Sequence, residues 1–441
     1  MRLQLTRPEP PSPIRARLRA AACLLLASSL PSAAHAEAGG TSSLDTSLLI
    51  YGERQRADVL EPTVRFTRLF ASGQAFSAQV GYDVITGASP TGAVPSGAIQ
   101  TTTSASGVTS SVAAGEVPTT TFHDKRLALD MDWRQPLGTV LTSTVGGHFS
   151  REKDYQSVGG SAKLALDVMH RQVTITAGAG INRDDVFPVG GTPQGLTDGT
   201  GPTDPARQAK NVTDGMIGIA RVVSRRWLVS LSGTHTAESG YLTEPYKVVS
   251  QIDTTTGESV GQLTESRPDA RTRNNVLGTS VYHLGEDVLH LSYRYYWDDW
   301  QLNSHTFDVK LRHDFNERTY VQPHVRYYTQ TPAWFYTTGL VSVAPLPDFA
   351  SADYRLGPLR TATLGATVGF HMGSAPGEWT VRGEYMRQSL KSPSQGEGGG
   401  EGGDDARKGA STSATAPTSA FNLQVPPLDI VSVVVGYSIQ F

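Results

Sequence analysis

Across residues 288–315 the chain alternates apolar and polar side chains with a period of two. In the first half, Leu289, Leu291, Tyr293, Tyr295 and Trp297 alternate with His290, Ser292, Arg294, Tyr296 and Asp298. In the second, Phe307, Val309, Leu311 and Phe315 alternate with Thr306, Asp308, Lys310, Arg312 and Asp314. That period puts each set on its own face of a sheet, with a turn between two strands. One face is apolar and ends in aromatics. The other carries charges of both signs. A soluble sandwich would bury the apolar face; a transmembrane barrel would turn it to lipid and line a wet lumen with the charges.

The same pattern recurs along the chain. It predicts strands at 43–52, 58–70, 74–85, 122–133, 139–150, 156–168, 173–182, 211–223, 227–236 and 271–284. The hairpin at 288–315 follows, then 320–330, 354–370, 378–390 and 429–441. The connections sort by length. Short ones fall near 71, 135, 170, 225, 286, 317 and 374, at every second position, and those between them are longer and variable. A sandwich gives no reason for such sorting. An outer-membrane barrel has short periplasmic turns, long outer loops and an even strand count. The expected fold is therefore an all-β, transmembrane, antiparallel up-and-down barrel of about 16 strands, with both ends on the short-turn side.

The two ends fit export. Arg2, Arg7, Arg15, Arg17 and Arg19 precede a short apolar run at 20–30, and Ala34-His35-Ala36 is a small-x-small cleavage site. Residues 1–36 are expected to be a secretory signal peptide and 37–441 a single barrel domain. No apolar run reaches the roughly 18 residues a helical span needs. The last strand sets Val433, Val435, Tyr437, Ile439 and Phe441 on one face. It resembles the C-terminal signal read by the barrel-assembly machinery, with Gly436, Ile439 and Phe441 at matching spacing and Val434 at a usually polar position. Outer-membrane lipid and that machinery are the expected partners.

Composition then removes several classes. The only cysteine is Cys23, inside the leader, so no disulfide, cysteine-ligated metal or haem attachment site is expected beyond it. The leader holds five of the 38 basic residues and one of the 41 acidic ones, leaving 33 and 40. Such a chain has no basic patch for nucleic acid.

Several blocks resemble one known family. They are Tyr51-x-Glu53-x-x-Arg56, the stretch from Asp83-Val-Ile-Thr86-Gly-Ala-Ser-Pro90 to Ala93, and Ser150-x-Glu152-x-Asp154-Tyr155-x-Ser157. Further along stand Tyr293-Arg-Tyr-Tyr-Trp-Asp-Asp-Trp300, Ser304-His-Thr306, Arg326-Tyr-Tyr-x-Gln330 and Ser351-Ala-Asp-Tyr-Arg-Leu-Gly357. Together they resemble the bacterial outer-membrane proteins of domain of unknown function 3570. The Thr-Gly-Ala-Ser-Pro and Tyr-Tyr-Trp-Asp-Asp-Trp blocks are the specific ones. The resemblance implies an outer-membrane barrel and assigns no activity. Its members often travel with flavin-attachment and thioredoxin-like proteins, which implies periplasmic redox proteins as partners.

Candidate chemistry is sparse, and no cofactor is expected. Asp298 and Asp299, between Trp297 and Trp300, mark the outer end of the hairpin. They could bind a cation together with Asp353; the favoured reading is a capped turn between girdle aromatics. Asp83 and Thr86 enter the first long loop, as a lumen constriction or as a rigid turn made by Gly87 and Pro90. Ser304 and His305 are adjacent on a strand and point to opposite faces, which argues against a hydrolase pair. The glycine-acid run at 396–405 matches no calcium loop and reads as a disordered outer segment. Lumen charges are expected at Asp130, Asp132, Lys163, Asp167, Arg294, Asp308, Lys310, Arg312, Asp314, Arg326, Arg382 and Glu384. They would brace the wall or set a transverse field across a pore. The first functional expectation is a channel or docking barrel for a small solute or partner. The alternatives are a closed barrel that anchors or sheathes a periplasmic redox or assembly module and, least favoured, an embedded hydrolase.

Overall fold

A computed structural model describes residues 40–54, 56–97, 99–103, 109–199, 203–373, 376–390 and 427–441. The leader expected at 1–36 and the glycine-acid run at 396–405 lie outside the described residues. The first strands are β1 (Gly40–Glu53), β2 (Ala57–Phe70) and β3 (Ala75–Pro90), followed by the short pair β4 (Gln100–Thr103) and β5 (Thr109–Val112). Next come β6 (Thr119–Leu137), β7 (Leu141–Arg151), β8 (Tyr155–Val168), β9 (Val173–Val186), β10 (Gln208–Ser224) and β11 (Trp227–Gly240). Two more short strands, β12 (Val248–Ile252) and β13 (Ser259–Thr264), precede β14 (Ala270–His283), β15 (Asp287–Asp298), β16 (Asn303–Asn316) and β17 (Thr319–Gln330). The chain closes with β18 (Leu340–Val341), β19 (Leu359–Phe370), β20 (Glu378–Leu390) and β21 (Leu428–Gln440).

Sixteen of these form one closed barrel, in the order β1-β2-β3-β6-β7-β8-β9-β10-β11-β14-β15-β16-β17-β19-β20-β21. Each neighbour pairs antiparallel, and β21 returns to β1, with Ser43 opposite Gln440 and Glu53 opposite Ile430. Closure leaves no free sheet edge, which is what a sheet in hydrocarbon requires. The described residues contain no helix long and apolar enough to cross a membrane; here strands would do the crossing.

The two faces follow the alternation. Leu291, Tyr293, Phe307, Val309, Val158, Leu164 and Leu364 are exposed on the outside. Ser304, Asp308 and His324 are buried on the lumen side. A barrel has no packed core on its lipid face, so exposed apolar side chains there are the expected state in a bilayer.

The compact apolar core lies in the long loops instead. Trp300, Ala333, Phe335 and Leu356 cluster there, with Leu242, Tyr336 and Phe349 against them. β12 pairs antiparallel with β13 and parallel with β18, which knits the loop after β11 to the loop after β17. Lys247, in the loop after β11, reaches Ser89 Oγ at 3.2 Å and the Pro90 carbonyl at the end of β3. Those two strands are six places apart around the ring, so this contact crosses the mouth. The loops after β11, β15 and β17 therefore fold into a roof over one end of the barrel.

Two expectations change. The strand expected from 354 begins at Leu359, because Asp353 caps a 3-10 turn over Tyr354–Leu356 and accepts the Arg355 N–H. Trp300, expected in the girdle, is 3% exposed and packs edge-on to Phe335 at 4.9 Å. Its indole N–H donates to the Ala270 carbonyl at 3.0 Å. A buried indole needs such an acceptor, and the roof supplies one.

Candidate functional site

Beneath the roof is a vestibule of about 490 Å³ between the loop after β11 and the upper ends of β6 to β14. Its acidic side is built by Asp124 in the outer part of β6 and by Glu152 and Asp154 in the short connection from β7 to β8. Among the described residues, these three alone have ligand-type side-chain atoms all within 4.8 Å of one another in a group of three or more. Burial, then the Asp124 charge, pushes the Glu152 carboxyl up to about 7. Burial raises Asp154 as well, against the Tyr246 hydroxyl, which donates to Asp154 Oδ2 at 2.8 Å.

The opposite side is basic, and its cations are already partnered. Arg271 binds Asp298 at 2.6 Å, and Arg273 binds Glu238 at 2.8 Å. Arg267 lies between Glu265 at 2.6 Å and Asp353 at 2.9 Å. The vestibule thus holds partnered arginines facing carboxylates that have no salt-bridge partner among the described residues. A second cavity, of about 670 Å³, runs below it along the wall from β6 to β11. Asp130, Asp132, Lys163, Asp214 and Met216 line it, among small residues.

The sequence candidates fall at separate places in this frame. Asp83 faces the lumen, is buried and accepts the Arg126 guanidinium. Thr86 faces the other way and pairs with His123, because β3 continues as strand through Pro90. Gly87 permits this: a Cβ there would stand 2.1 Å from the Arg56 carbonyl, and its φ is +149°.

Trp297 is on the outer face, stacked on Tyr295 at 5.3 Å. Asp298 is buried and takes the Tyr296 hydroxyl and the Leu302 N–H, both at 2.8 Å, besides Arg271. Asp299 accepts the Thr272 N–H at 2.9 Å. Asp353 lies in the roof with Arg267 and Arg355. Burial would raise its carboxyl, but Arg355, Lys247 and Arg267 together hold it below the usual carboxylate range. Asp298, Asp299 and Asp353 do not form a ligand group of the kind found at Asp124, Glu152 and Asp154.

Sequence reasoning met Glu152 and Asp154 only inside a block that resembles the family and placed neither of them, nor Asp124, in a site. The available signal was two acids one residue apart in an unusually short outer connection. Ser304 and His305 do sit on opposite faces: Ser304 is buried, and His305 stacks on Tyr293 outside.

A family model described as "Protein of unknown function (DUF3570)" matches residues 15–420. The chain belongs to this family. No curated protein matches this DUF3570 member. Among solved structures, it is similar to a mutant ferric enterobactin receptor, PfeA, of Pseudomonas aeruginosa, with 10% identity and a TM-score of 0.41, covering 84% of this chain and 57% of that one. It is also similar to OccK3 of Pseudomonas aeruginosa, at 8% identity and a TM-score of 0.39, covering 91% and 96%. The siderophore receptor PirA of Acinetobacter baumannii matches at 7% identity and a TM-score of 0.40, covering 81% and 54%. The chain spans little more than half the length of the siderophore receptors it matches.

Proposed function

We propose that this DUF3570 protein is an outer-membrane barrel, exported through a leader at 1–36, that passes a small polar solute between the vestibule and the lumen. The observation that carries this reading is the stacking of two cavities, each with charged side chains in its wall, inside one apolar-faced barrel. The upper is about 490 Å³ and the lower about 670 Å³. The apolar exterior suits lipid, and the charged interior suits water. Insertion would run through the assembly machinery, which would read the last strand to Phe441.

Planar-bilayer recording on the purified chain tests this. Discrete conductance steps are expected. Roof-loosening variants such as Trp300→Ala should enlarge them.

The second reading is a closed barrel that anchors a periplasmic redox or assembly module. One observation favours it: buried ion pairs among Glu265, Arg267 and Asp353 pin the roof. A barrel silent in every condition, with the roof loosened as well as intact, would replace the first reading with this one.

A further inference from the structure

The outward face of β6 to β9 changes character toward the roof. Below, it is apolar, and Leu127, Val158 and Ile181 are 47%, 49% and 65% exposed. Lys125 stands two residues before Leu127, on the same face of β6 and nearer the roof. Arg151 of β7 pairs directly with Leu127, and Arg183 of β9 pairs directly with Val158. All three cations are exposed. They lie along the upper edge of the apolar band.

Counter-charges on this face are few. Among the described residues of these strands, Asp185 is the one carboxylate that shares it. Asp185 is 3.8 Å from Arg183 and 3.7 Å from Arg207 of the following loop. Asp204 of that loop accepts the Ala206 N–H and the Gln208 amide. Asp58 of β2 faces outward as well, but two strands away from β6. The other acids of these segments point inward. Asp124, Glu152 and Asp154 line the vestibule, and Asp184 accepts the Ser157 hydroxyl at 2.7 Å. Lys125 and Arg151 form no ion pair among the described residues. On β15 and β16 the roof-side edge is built differently, from Tyr295, Trp297 and Asn303 without a fixed charge.

An aromatic edge suffices for an interface, so the cations on β6 to β9 serve something more. Exposed like charges repel one another unless an anion joins them. Lysine and arginine lay their carbon stems on an apolar surface and hold their heads in the headgroup layer. The surface therefore fits an anion that brings its own apolar chains.

We propose that this face binds a phosphorylated lipid of the leaflet at the roof end. Its acyl chains would lie on Leu127, Val158 and Ile181, and its phosphates among Lys125, Arg151 and Arg183. The long connections are at the roof end, so that leaflet is the outer one. The proposal needs the barrel in a membrane but not an open pore, and it stands or falls apart from the channel reading.

The barrel, refolded in uncharged detergent micelles, is titrated with diphosphoryl lipid A and with the monophosphoryl form, which has the same chains and one phosphate fewer. Native mass spectrometry counts the bound lipid. The diphosphoryl form is expected to bind more tightly. Lys125→Gln, Arg151→Gln and Arg183→Gln together should weaken it about tenfold at low salt. An unchanged heat-resistant band on a gel shows that the variant is folded. If the triple variant does not refold, the three single substitutions carry the same test, each with a loss of about twofold.

A control, Arg360→Gln with Arg387→Gln, removes two outward cations from β19 and β20, where Arg387 pairs with Asp429. It should leave the affinity within about twofold of the parent. Equal losses in the control and the triple variant would mean diffuse attraction and overturn the site. Equal affinity for the two lipids, or a triple variant that binds as the parent does, would overturn phosphate recognition. Displacement by inorganic phosphate at matched ionic strength would make this a surface for free anions and overturn the lipid.

Discussion

His324 on β17 is bonded to Glu384 on β20, two strands away, with Nδ1 2.9 Å from Oε1. The contact passes over β19 at Gly365, where an added Cβ would stand 2.6 Å from Glu384 Cγ and 2.7 Å from the Gly383 carbonyl. The other ring nitrogen lies 2.7 Å from Asp308 on β16. One imidazole thus ties four consecutive strands of the wall. Removing one partner of such a buried set leaves charges uncompensated, at about 3 kcal/mol. His324→Ala should lower the denaturant midpoint of the refolded barrel by a corresponding amount. Gly365→Val should do the same by pressing on Glu384, with every charged residue left in the chain. A midpoint unchanged in both would show that the tie contributes nothing.

The roof has its own core, separate from the barrel wall. Trp300→Ala removes the indole that packs on Phe335 and binds Ala270. Truncating a buried tryptophan costs about 3–5 kcal/mol. The cost should fall on the roof alone. Protease added to intact cells should then cut in the 241–269 and 331–358 segments, while the heat-resistant barrel band on a gel stays as in the parent.

Glu152 makes the vestibule sensitive to pH. Its carboxyl is raised from 4.5 to about 7, so the folded state binds more protons than the unfolded state between those values. Stability of the roof should therefore fall as pH rises from about 5 to 8, the opposite of a salt-bridged carboxylate. Limited proteolysis of the 241–269 loop at the two pH values measures this. Glu152→Gln should remove most of the difference. A loop cut faster at pH 5 would reverse the sign and refute the assignment.

Asp298 is an anchor with four donors: Arg271 twice, Tyr296 and the Leu302 N–H. Asp298→Asn keeps the shape and removes the charge that faces Arg271. A loss of about 3 kcal/mol is expected in the outer hairpin. Hydrogen exchange at Gln301 and Leu302 should speed up, while the inner turn at 317–318 stays unchanged. Calcium, added as a probe, should protect neither the parent nor the variant if the aspartate serves only Arg271. Protection of the parent alone would restore the cation reading for this residue.

The sequence by itself determined the wall. Period-two alternation is local, so most of the sixteen barrel strands could be placed from their own residues, although 211–223 alternates poorly and the strand expected from 354 starts only at Leu359. Leu291, Tyr293 and Phe307 point outward as their spacing requires. The sorting of short and long connections told one end of the barrel from the other. The tertiary structure alone decided the roof and everything beneath it. Trp300 sits one residue beyond an aspartate pair that reads like a girdle, yet it is buried. Its partners Phe335 and Leu356 come from a loop more than thirty residues away, with no period to announce them. Asp124 meets Glu152 and Asp154 only because β6 runs on past Arg151, the last residue of β7 it pairs, alongside the connection to β8. Which lumen charges meet depends likewise on the order of strands around a closed ring, since a single strand's alternation shows which residues face inward but not which neighbours they find.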